Sequence, residues 1–409
     1  MTIPRFFIGL ASGSGGEGAD AVLVETTGIG TQLNCRIVEH RRRLHARETQ
    51  DLFMRSLAAG ASTSVGDLAI LHRQLGESAA GCALDMMGAN RLDASRVLAI
   101  GHLGPLVSHE PAGRPPVTLE IGMNSVIAER TGLTVFGSFR DRDLAAGGQG
   151  MPITALADWM LFRNATQNRL LVHLGGTTSA VYLPVNARPQ DVVAYEVGPG
   201  TRLLDAVIRQ GSGGRERCDA GGKHAVQGRC LDNLLIEWLE HPFLQRRPPK
   251  SLGRSEFGAE WIARAARNVL AAKGTLEDFL CTLSHFLVIG LVRSLAWLPQ
   301  TSAVQNVWIS GGGSRNGLFW RLLEQEMKGI ALHRLDDLGV PAQGRQAAAA
   351  AILTAMAMDG IPATSPSATG TVGRLLGQVT PGDPRNWARC LRWMAEQSAP
   401  ELTHPYRAA

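Results

Sequence analysis

A glycine-rich loop between two short apolar runs places the strongest constraint on how this chain can fold. Residues 6–25 read FFIGLASGSGGEGADAVLVE, in which residues 6–10 and 21–24 have the apolar composition of buried strands. The four glycines of residues 13–18 allow backbone conformations that other residues rarely adopt, and they leave backbone N–H groups that an anion can approach closely. The stretch therefore predicts a β-hairpin whose turn holds phosphate.

Two other interpretations fit the same glycines. Residues 13–18 match the dinucleotide pattern G-x-G-x-x-G, and Glu39 lies about twenty residues further on. That pattern requires its last glycine to open a helix whose N-terminus faces the pyrophosphate, whereas residues 20–25 have the composition of a strand. A glycine-rich hairpin that binds no ligand is the second alternative. We favour the phosphate hairpin over both.

The composition argues against a nucleic-acid partner. A chain of 409 residues with 44% hydrophobic content can bury a large core, and its length favours two domains. The formal net charge is only +5, and the basic clusters at residues 41–43 and 246–247 are short and lack interleaved aromatic residues. Such clusters are more typical of a solvated face than of a nucleic-acid interface.

Cysteine usage and hydropathy predict a cytoplasmic protein. The six cysteines are scattered, with no C-x-x-C pair and no histidine at ligand spacing, so neither a zinc site nor a disulfide framework is indicated. The apolar run at the N-terminus is too short for a signal peptide, and we expect no stretch to reach the length needed to span a membrane.

A second segment repeats the opening pattern. Residues 170–174 are apolar, residues 175–178 read Gly-Gly-Thr-Thr, and residues 179–183 return as an apolar run. Two strand–turn–strand segments at wide separation predict two similar halves, each with a hairpin that faces a common cleft.

Two further glycine turns follow. Glu196 precedes Gly198 and Gly200, which places a carboxylate at the mouth of a turn before a helix. Later, residues 304–310 (VQNVWIS) lead into three consecutive glycines, residues 311–313, and then into a helix predicted at residues 318–327. Three glycines before a helix N-terminus allow a flat or anionic group to lie against the backbone.

Charged residues also follow a predicted strand at residues 134–136. Open α/β sheets bind ligands at the ends of their strands, and Arg140 stands in this position. Arg140 is suited to clamp an anion or sugar hydroxyls, and a surface salt-bridge cluster is an equal alternative. His102 and His109 lie in loops near prolines, and no role is assigned to them.

Five motifs resemble those of the anhydro-N-acetylmuramic acid kinase family, within the sugar kinase, Hsp70 and actin superfamily. GLASGSGGEGADAVLVE is similar to GLMSGTSLDGVDAVLV, and TLEIGMNSVIAERTGLTVFGSFRDRD is similar to TLQIGDNNxIAxRTGIxVVxDFRxxD. YEVGPGTRLLDA resembles YDTGPGNxLxDA, PPKSLGRSEF resembles PPKSTGRExF, and ISGGGSRNGLF resembles VCGGGxxNxxL. The resemblance implies a two-domain α/β actin-like fold with an interdomain cleft and mixed sheets flanked by helices. The first domain would span residues 1–134, completed by residues 365–409, and the second would span residues 135–364.

The resemblance also implies an activity. The family uses ATP and Mg²⁺ to phosphorylate O6 of 1,6-anhydro-N-acetylmuramic acid while water opens the anhydro bond, in cell-wall recycling. It implies a small-molecule sugar substrate and a possible homodimer. Glu196 would be the general base and Glu17 the magnesium ligand. The nucleotide would contact Gly13, Ser14, Gly15, Gly16, Glu17, Gly18, Asp20, Gly175, Gly176, Gly198, Gly200, Gly311, Gly312, Gly313 and Asn316, and the sugar would contact Arg140, Asp143, Gln149 and Gln346.

The chain departs from the family at several of these positions. Glu17 and Glu196 stand where the family has Asp, Ser138 replaces the Asp of Asp-Phe-Arg, and residues 343–346 (QGRQ) replace an acidic stretch. Ser14-Gly15 replaces Thr-Ser, and Ser179 replaces Asn. Three alternatives therefore stay open: a kinase of a different anhydro-sugar, a catalytically impaired relative that binds nucleotide or sugar as a sensor or scaffold, and a kinase of an unrelated acceptor.

Overall fold

The computed structural model describes residues 4–13, 15–56, 63–299 and 304–397, and it contains both strands and helices throughout. The strands are β1 Arg5–Ser12, β2 Gly18–Thr27, β3 Asn34–Leu44, β4 Val97–Leu103, β5 Leu106–Glu110, β6 Val117–Glu120, β7 Val135–Gly137, β8 Arg169–Leu174, β9 Thr177–Leu183, β10 Val193–Pro199, β11 Asn306–Ser310, β12 Ala331–Arg334 and β13 Gln378–Thr380.

Helices of very different length separate many of these strands. They are α1 Arg47–Ser56, α2 Val65–Ala89, α3 Asn124–Thr131, α4 Phe139–Ala145, α5 Ala155–Phe162, α6 Thr201–Gly211, α7 Asp232–Leu239, α8 Pro242–Gln245, α9 Ala259–Ala271, α10 Leu276–Ser294, α11 Gly317–Glu326, α12 Arg345–Met358 and α13 Pro384–Gln397. Thr275 and Asp278 form a reciprocal capping box at the start of α10, in which each side chain accepts a hydrogen bond from the other residue's backbone N–H.

The two large sheets repeat one topology. In the first, β1 pairs antiparallel with β2 and β2 with β3, while β4 pairs parallel with β1 and β7 with β4. In the second, β8, β9 and β10 form the antiparallel part, and β11 and β12 extend it in parallel. The strand β13 adds to the outer edge of the first sheet. The repeat predicted from the two strand–turn–strand segments is therefore confirmed, as is the mixed α/β fold class.

Alternation of side chains along the strands divides the interior into layers. Phe7 and Ala11 of β1 face a core shared with α12 and the second sheet, whereas Ile8 and Leu10 face a core with α2 and α3. In the second sheet, Leu171 faces the shared core, and its neighbours along β8 face α6, α10 and α11. Helix α12 packs on the first sheet and belongs to the core that this sheet shares with the second.

Close packing against α12 depends on two glycines. Gly9 and Gly101 stand opposite each other on β1 and β4. A Cβ atom at either position would overlap the backbone oxygen of Ala347 or Ala350 on α12. The Ala-rich composition of α12 and the glycines of the sheet together allow the two backbones to approach closely.

A buried ion pair fixes the first turn of α12. The Arg345 guanidinium donates to both carboxylate oxygens of Asp158 on α5, at 2.8 and 2.7 Å. It also donates to Ser310 Oγ at 3.3 Å, and Ser310 is the last residue of β11. The ion pair therefore ties α12, α5 and the end of the second sheet together.

One expectation about membranes was wrong. The segment Leu276–Trp297, which comprises α10 and the turn after it, is long and apolar enough to span a membrane by length and composition. Of its most apolar window, 67% is buried inside the protein, where Phe279 and Phe286 pack around Trp238. A helix in the centre of a protein core needs the same length and apolar composition, so α10 has them because it is buried.

The predicted domain boundary falls just before β7. This strand pairs with β4 and with β13, and β13 belongs to the C-terminal part of the chain that we expect to complete the first domain. Residues 398–409 lie outside the described residues. The division into two domains stays a prediction.

The glycine contact with α12 predicts a stability difference between two Gly→Ala variants. We expect Gly9→Ala to lower the free energy of unfolding by about 1–3 kcal/mol, because the added methyl group forces α12 away from the sheet. Gly88→Ala on α2 has open space around its new methyl group, so we expect no loss and a gain of up to about 1 kcal/mol. Urea unfolding of both variants tests this, and equal stabilities would contradict it.

Candidate functional site

The turn of the first hairpin combines glycines required by packing with glycines that face open space. β1 and β2 pair up to Ser12 and Ala19. Gly16 adopts φ +66° against the Phe53 ring, and a Cβ at Gly18 would lie 2.5 Å from the Arg43 backbone oxygen. A Cβ at Gly13 would meet no atom within 4 Å, and one at Gly15 only the Glu17 side chain at 3.9 Å. The turn therefore leaves room in front of its backbone.

Of the other positions predicted in this hairpin, two carry acids. The Glu17 side chain is 63% exposed, and its Oε2 accepts a hydrogen bond from Arg42 at 2.8 Å. Asp20 is buried on β2, where its Oδ1 lies 2.8 Å from His40 Nε2. Ser14 lies outside the described residues. Glu17 is thus the acid of this hairpin that is available to a ligand.

The second hairpin packs against the turn after Glu196. The Gly175 backbone oxygen accepts hydrogen bonds from Thr201 N at 2.8 Å and from Thr201 Oγ1 at 3.1 Å. Gly200 N donates to the Gly176 oxygen at 3.1 Å. A Cβ at Gly200 would overlap the Gly175 oxygen, while one at Gly198 would lie 3.1 Å from Leu244. The structure therefore brings the second and third glycine turns together.

The triple glycine adjoins the same hairpin. Gly311 adopts φ +87°, and Cβ atoms at Gly311 and Gly313 would lie 2.5 and 2.7 Å from atoms of Leu174. A Cβ at Gly312 would meet no atom within 4 Å, so this glycine faces open space. Asn316 caps α11, because its Oδ1 accepts hydrogen bonds from the backbone N–H groups of residues 318 and 319. Its side-chain oxygen is therefore occupied within the chain.

Asp205 is a half-buried acid on α6 within electrostatic range of the first hairpin. Burial raises the pKa of this α6 carboxyl to about 7, Arg209 opposes the shift, and the carboxylates of Glu17 and Asp219 add to it. Glu17 therefore lies within electrostatic range of this α6 carboxyl. The sequence contained a signal for Asp205, since it is the last acid of YEVGPGTRLLDA, but the residue was not selected.

Glu196 is the most completely enclosed acid at these turns. It lies on β10 beside an irregularity in the pairing with β9, and it is 1% exposed. Its Oε1 accepts a hydrogen bond from Thr177 Oγ1 and its Oε2 accepts one from Leu252 N, both at 2.6 Å. Burial raises the pKa of Glu196, and these two donors together with Arg202 and Arg140 moderate the shift. A carboxylate with a raised pKa is suited to accept a proton near neutral pH.

Arg140 forms an ion pair with a residue that the sequence prediction missed. Its guanidinium donates to Glu120 Oε2, and both side chains are less than a tenth exposed. Glu120 Oε1 also accepts a hydrogen bond from Gly104 N at 2.8 Å. Burial raises the pKa of Glu120, and Arg140 opposes the shift. Contact between Arg140 and a sugar stays a prediction.

Two further residues predicted to contact the sugar, Asp143 and Gln149, form hydrogen bonds within the chain. Asp143 is fully buried and accepts hydrogen bonds from Gly150 N and from the hydroxyl groups of Thr369 and Thr371. Gln149 Oε1 accepts a hydrogen bond from Ser251 N, so it orders the segment that carries Leu252. Asp143 and Gln149 therefore position the loops around Glu196.

Gln346 lies half-buried in the first turn of α12. The preceding Gly344 packs beside Val22 and His40, so this end of α12 adjoins the strands of the first hairpin. Contact between Gln346 and a sugar stays a prediction.

The acids at the first hairpin fit a magnesium ion that ATP brings with it. In the described parts of the chain, no group of three or more His, Cys, Asp or Glu side chains is arranged to hold a metal ion alone. Mg²⁺ usually binds one or two carboxylates together with water and substrate phosphates, rather than a protein cage. Glu17 supplies one such carboxylate beside the open glycines, and Asp205 on α6 lies within electrostatic range of it.

Accessible glycine turns and an enclosed carboxylate with a raised pKa together point to a class of enzyme. Backbone N–H groups at open glycine turns suit a polyphosphate, and a carboxylate with a raised pKa suits proton abstraction from the acceptor side. Together they are the parts of a phosphotransferase, in which catalysis consists mainly of positioning and charge stabilisation.

Comparison with known proteins identifies the family. The sequence model of the family described as "AnmK: Anhydro-N-acetylmuramic acid kinase" matches residues 5–382. The chain is 33% identical to an anhydro-N-acetylmuramic acid kinase of Gloeobacter violaceus over 92% of this chain and 99% of that one, and 33% identical to one of Acidithiobacillus ferrooxidans over 98% of each. The chain belongs to the anhydro-N-acetylmuramic acid kinase family. The predicted resemblance and the predicted class, a sugar kinase, are confirmed.

Solved structures show a weaker likeness. A glucokinase of the ROK family from Streptomyces griseus, in complex with glucose and AMPPNP, aligns with a TM-score of 0.37 at 12% identity over 85% of this chain and 98% of that one. An activator of 2-hydroxyisocaproyl-CoA dehydratase from Clostridium difficile with bound ADPNP aligns with a TM-score of 0.41 at 12% identity, over 86% and 94%. No conclusion about this site rests on either.

Replacing the buried Glu196 carboxylate is expected to stabilise the folded protein, and to do so more at high pH than at low pH. Because the folded-state pKa of Glu196 is raised, its contribution to stability is complete below the usual glutamate pKa of about 4.3 and is lost as the pH rises through the folded value. We expect Glu196→Gln to raise the melting temperature at pH 8 and to have much less effect at pH 4. Thermal unfolding at both pH values tests this. Glu77→Gln, at an exposed ion pair, is the control, and an equal gain at both pH values for Glu196→Gln would contradict the assignment.

Proposed function

We propose that this protein is an ATP-dependent kinase of 1,6-anhydro-N-acetylmuramic acid that opens the anhydro ring with water and phosphorylates O6. The observation that supports the proposal most directly is the enclosure of Glu196 beside the second hairpin, with both oxygens oriented by hydrogen bonds. Family membership supports the same activity.

Glu196 acts as the general base in this mechanism. Each of its oxygens accepts one hydrogen bond from the chain and retains a second lone-pair direction for a water molecule. The carboxylate takes a proton from that water as the water oxygen attacks the anomeric carbon. The bond from the anomeric carbon to O6 then breaks, and O6 attacks the γ-phosphorus of ATP with departure of ADP.

The glycine turns hold the phosphates. Gly13, Gly15 and Gly312 face open space, so their backbones are accessible to a triphosphate. Glu17 and Asp205 would hold a Mg²⁺ ion that enters with ATP, and the ion would supply charge neutralisation at the transferring group. Asp20 forms a hydrogen bond with His40, and Asn316 caps α11, so in this mechanism the two residues order the neighbouring turns rather than contact the nucleotide.

The acceptor defines the main alternative, a kinase of a different anhydro-sugar. The family's late acidic stretch is replaced by residues 343–346, and within it Arg345 is committed to Asp158. Gln343 and Gln346 keep hydrogen-bonding capacity without charge. No comparison supports the catalytically impaired alternative. A cytoplasmic location and a homodimer stay predictions that accompany the proposed function.

Product formation tests the proposed chemistry. With ATP, Mg²⁺ and 1,6-anhydro-N-acetylmuramic acid, we expect the 6-phosphate as product, with oxygen from ¹⁸O-labelled water at the anomeric carbon. Glu196→Gln should lower kcat by about 10²–10⁴-fold, because it removes the base. Glu196→Asp should lower it by about 10²-fold, because the shorter arm withdraws the carboxylate by about 1 Å from its partners. Mass spectrometry of the product and steady-state rates measure both effects.

Two results would contradict the proposed activity. Absence of product with the wild-type protein, together with no change of melting temperature on addition of ATP or ADP, would refute the nucleotide assignment. A Glu196→Gln variant as active as the wild type would refute the base.

The open glycines also predict that a larger side chain in the first turn raises the KM for ATP. We expect Gly13→Val to raise KM for ATP at least about tenfold, because the side chain occupies space that the structure leaves free for phosphate. Its melting temperature should remain near that of the wild type, since a Cβ at this position meets no atom within 4 Å. Gly88→Ala serves as the control for a glycine far from the turn. An unchanged KM for ATP would place the triphosphate elsewhere.

A further inference from the structure

Thr177, Ser179 and Glu196 lie on one face of the paired strands β9 and β10, next to the glycine turn of the second hairpin. Glu196 pairs directly with Ser179, and Thr177 stands two residues earlier on the same face of β9. Further along β9, Val181 continues this face into the core shared by the two sheets. We refer to Thr177, Ser179 and Glu196 as the base face.

The Glu196 side chain reaches across the base face on a diagonal. In an antiparallel pair the residue directly opposite is the nearest neighbour, and the residue two positions away is within reach only of a long side chain. Glu196 Oε1 accepts its hydrogen bond from this diagonal neighbour, Thr177, at 2.6 Å. A carboxylate one methylene group shorter would withdraw by about 1 Å from the Thr177 hydroxyl group. The contact therefore requires the length of glutamate.

Thr177 supplies the contact to Glu196 that depends on residue type. Glu196 Oε2 accepts its hydrogen bond from the Leu252 backbone N–H, and every residue except proline offers such a donor. Within the described parts of the chain, the side-chain donor to Glu196 is Thr177. Loss of this hydroxyl group would leave one oxygen of a carboxylate that is 1% exposed without its protein donor.

All three residues of the base face differ from the family motifs, and the differences compensate one another. The motifs YDTGPG and GGIAN have Asp where this chain has Glu196, Ile where it has Thr177 and Asn where it has Ser179. With the strand pairing seen here, the family's combination places an amide directly opposite the shorter carboxylate. In this chain the carboxylate is longer, the residue opposite it is shorter, and the donor stands on the diagonal. The base and its donor have thus changed together.

We propose that Thr177 is a positioning residue for the general base, and that Thr177, Ser179 and Glu196 form one unit whose members are exchanged together. The inference rests on the proposed function, because it takes Glu196 as the base. It goes further in naming the residue that orients the carboxylate, and in giving a reason why glutamate serves where the family has aspartate.

The role of the hydroxyl group is tested by Thr177→Val, which keeps the shape of threonine and suits a strand. We expect kcat to fall about tenfold or more with little change of KM for ATP, because the hydrogen bond orients the base. Thr177→Ser keeps the hydroxyl group and should retain most of the activity. Thr178→Val is the matched control, because it removes a hydroxyl group from the opposite face of β9, where it donates to the Pro199 oxygen at 3.0 Å.

The pH dependence of kcat separates a positioning role from a structural one. A donor to a carboxylate favours its charged form, so loss of the donor raises the pKa of Glu196 and moves the acidic limb of the profile to higher pH. Thr177→Val should show this shift, whereas Thr177→Ser and Thr178→Val should not. The charged groups that act on Glu196, Arg202 on α6 and Arg140 on α4, are the same in all of these variants.

Exchange of the whole base face tests whether its members form a unit. In the full-length protein with ATP, Mg²⁺ and 1,6-anhydro-N-acetylmuramic acid, we compare Glu196→Asp with a triple variant that adds Thr177→Ile and Ser179→Asn. We expect the kcat of the triple variant to exceed that of Glu196→Asp at least about tenfold, because the amide then meets the shorter carboxylate. Urea unfolding checks that each variant is folded. If the triple variant does not fold, Glu196→Asp combined with Ser179→Asn repeats the comparison.

Two results would overturn the inference while leaving the proposed function intact. The first is a Thr177→Val variant whose kcat and pH profile match those of the wild type. The second is an exchanged base face that is no more active than Glu196→Asp alone. Absence of product with the wild-type protein would instead refute the proposed function, and the role of Thr177 with it.

Discussion

Helix α12 packs closely against the first sheet and is joined by an ion pair to α5, which packs on the second, and this connection determines how the strand ends of the two sheets lie. Gly9 and Gly101 bring the first sheet against Ala347 and Ala350 without intervening side chains. At the other end of the contact, Arg345 joins α12 to the end of the second sheet through Asp158 and Ser310. Because protein interiors are close-packed, a shift of α12 would displace the glycine turns of both halves.

The site contains a conflict between stability and chemistry. Burial of a carboxylate is unfavourable unless hydrogen bonds replace its water, and Thr177 and Leu252 supply only one bond to each oxygen of Glu196. The same enclosure raises the pKa of the carboxyl and makes it a better proton acceptor. The surrounding loops are held by Asp143 and Gln149, so their ordering also serves the orientation of Glu196.

The sequence predicted the elements of the site better than its contacts. The two hairpins and the triple glycine were found near their observed bounds, because each has a strong local pattern of apolar residues and glycine. Glu120 was missed as the partner of Arg140, since nothing local relates residues 20 positions apart. The apolar length of α10 was underestimated, because burial of that helix depends on the aromatic residues around it.

By itself, the sequence determined the repeated strand–turn–strand design, the family, and the types of residue available for phosphate binding and proton transfer. Only the tertiary structure decided which of those residues remain available to a ligand. Asp143 and Asn316 have suitable chemistry, yet threonine hydroxyls and helix N–H groups from the fold already occupy their oxygens. The physical reason is that backbone conformation depends on neighbouring residues, whereas hydrogen-bond partners depend on distant segments brought together by packing.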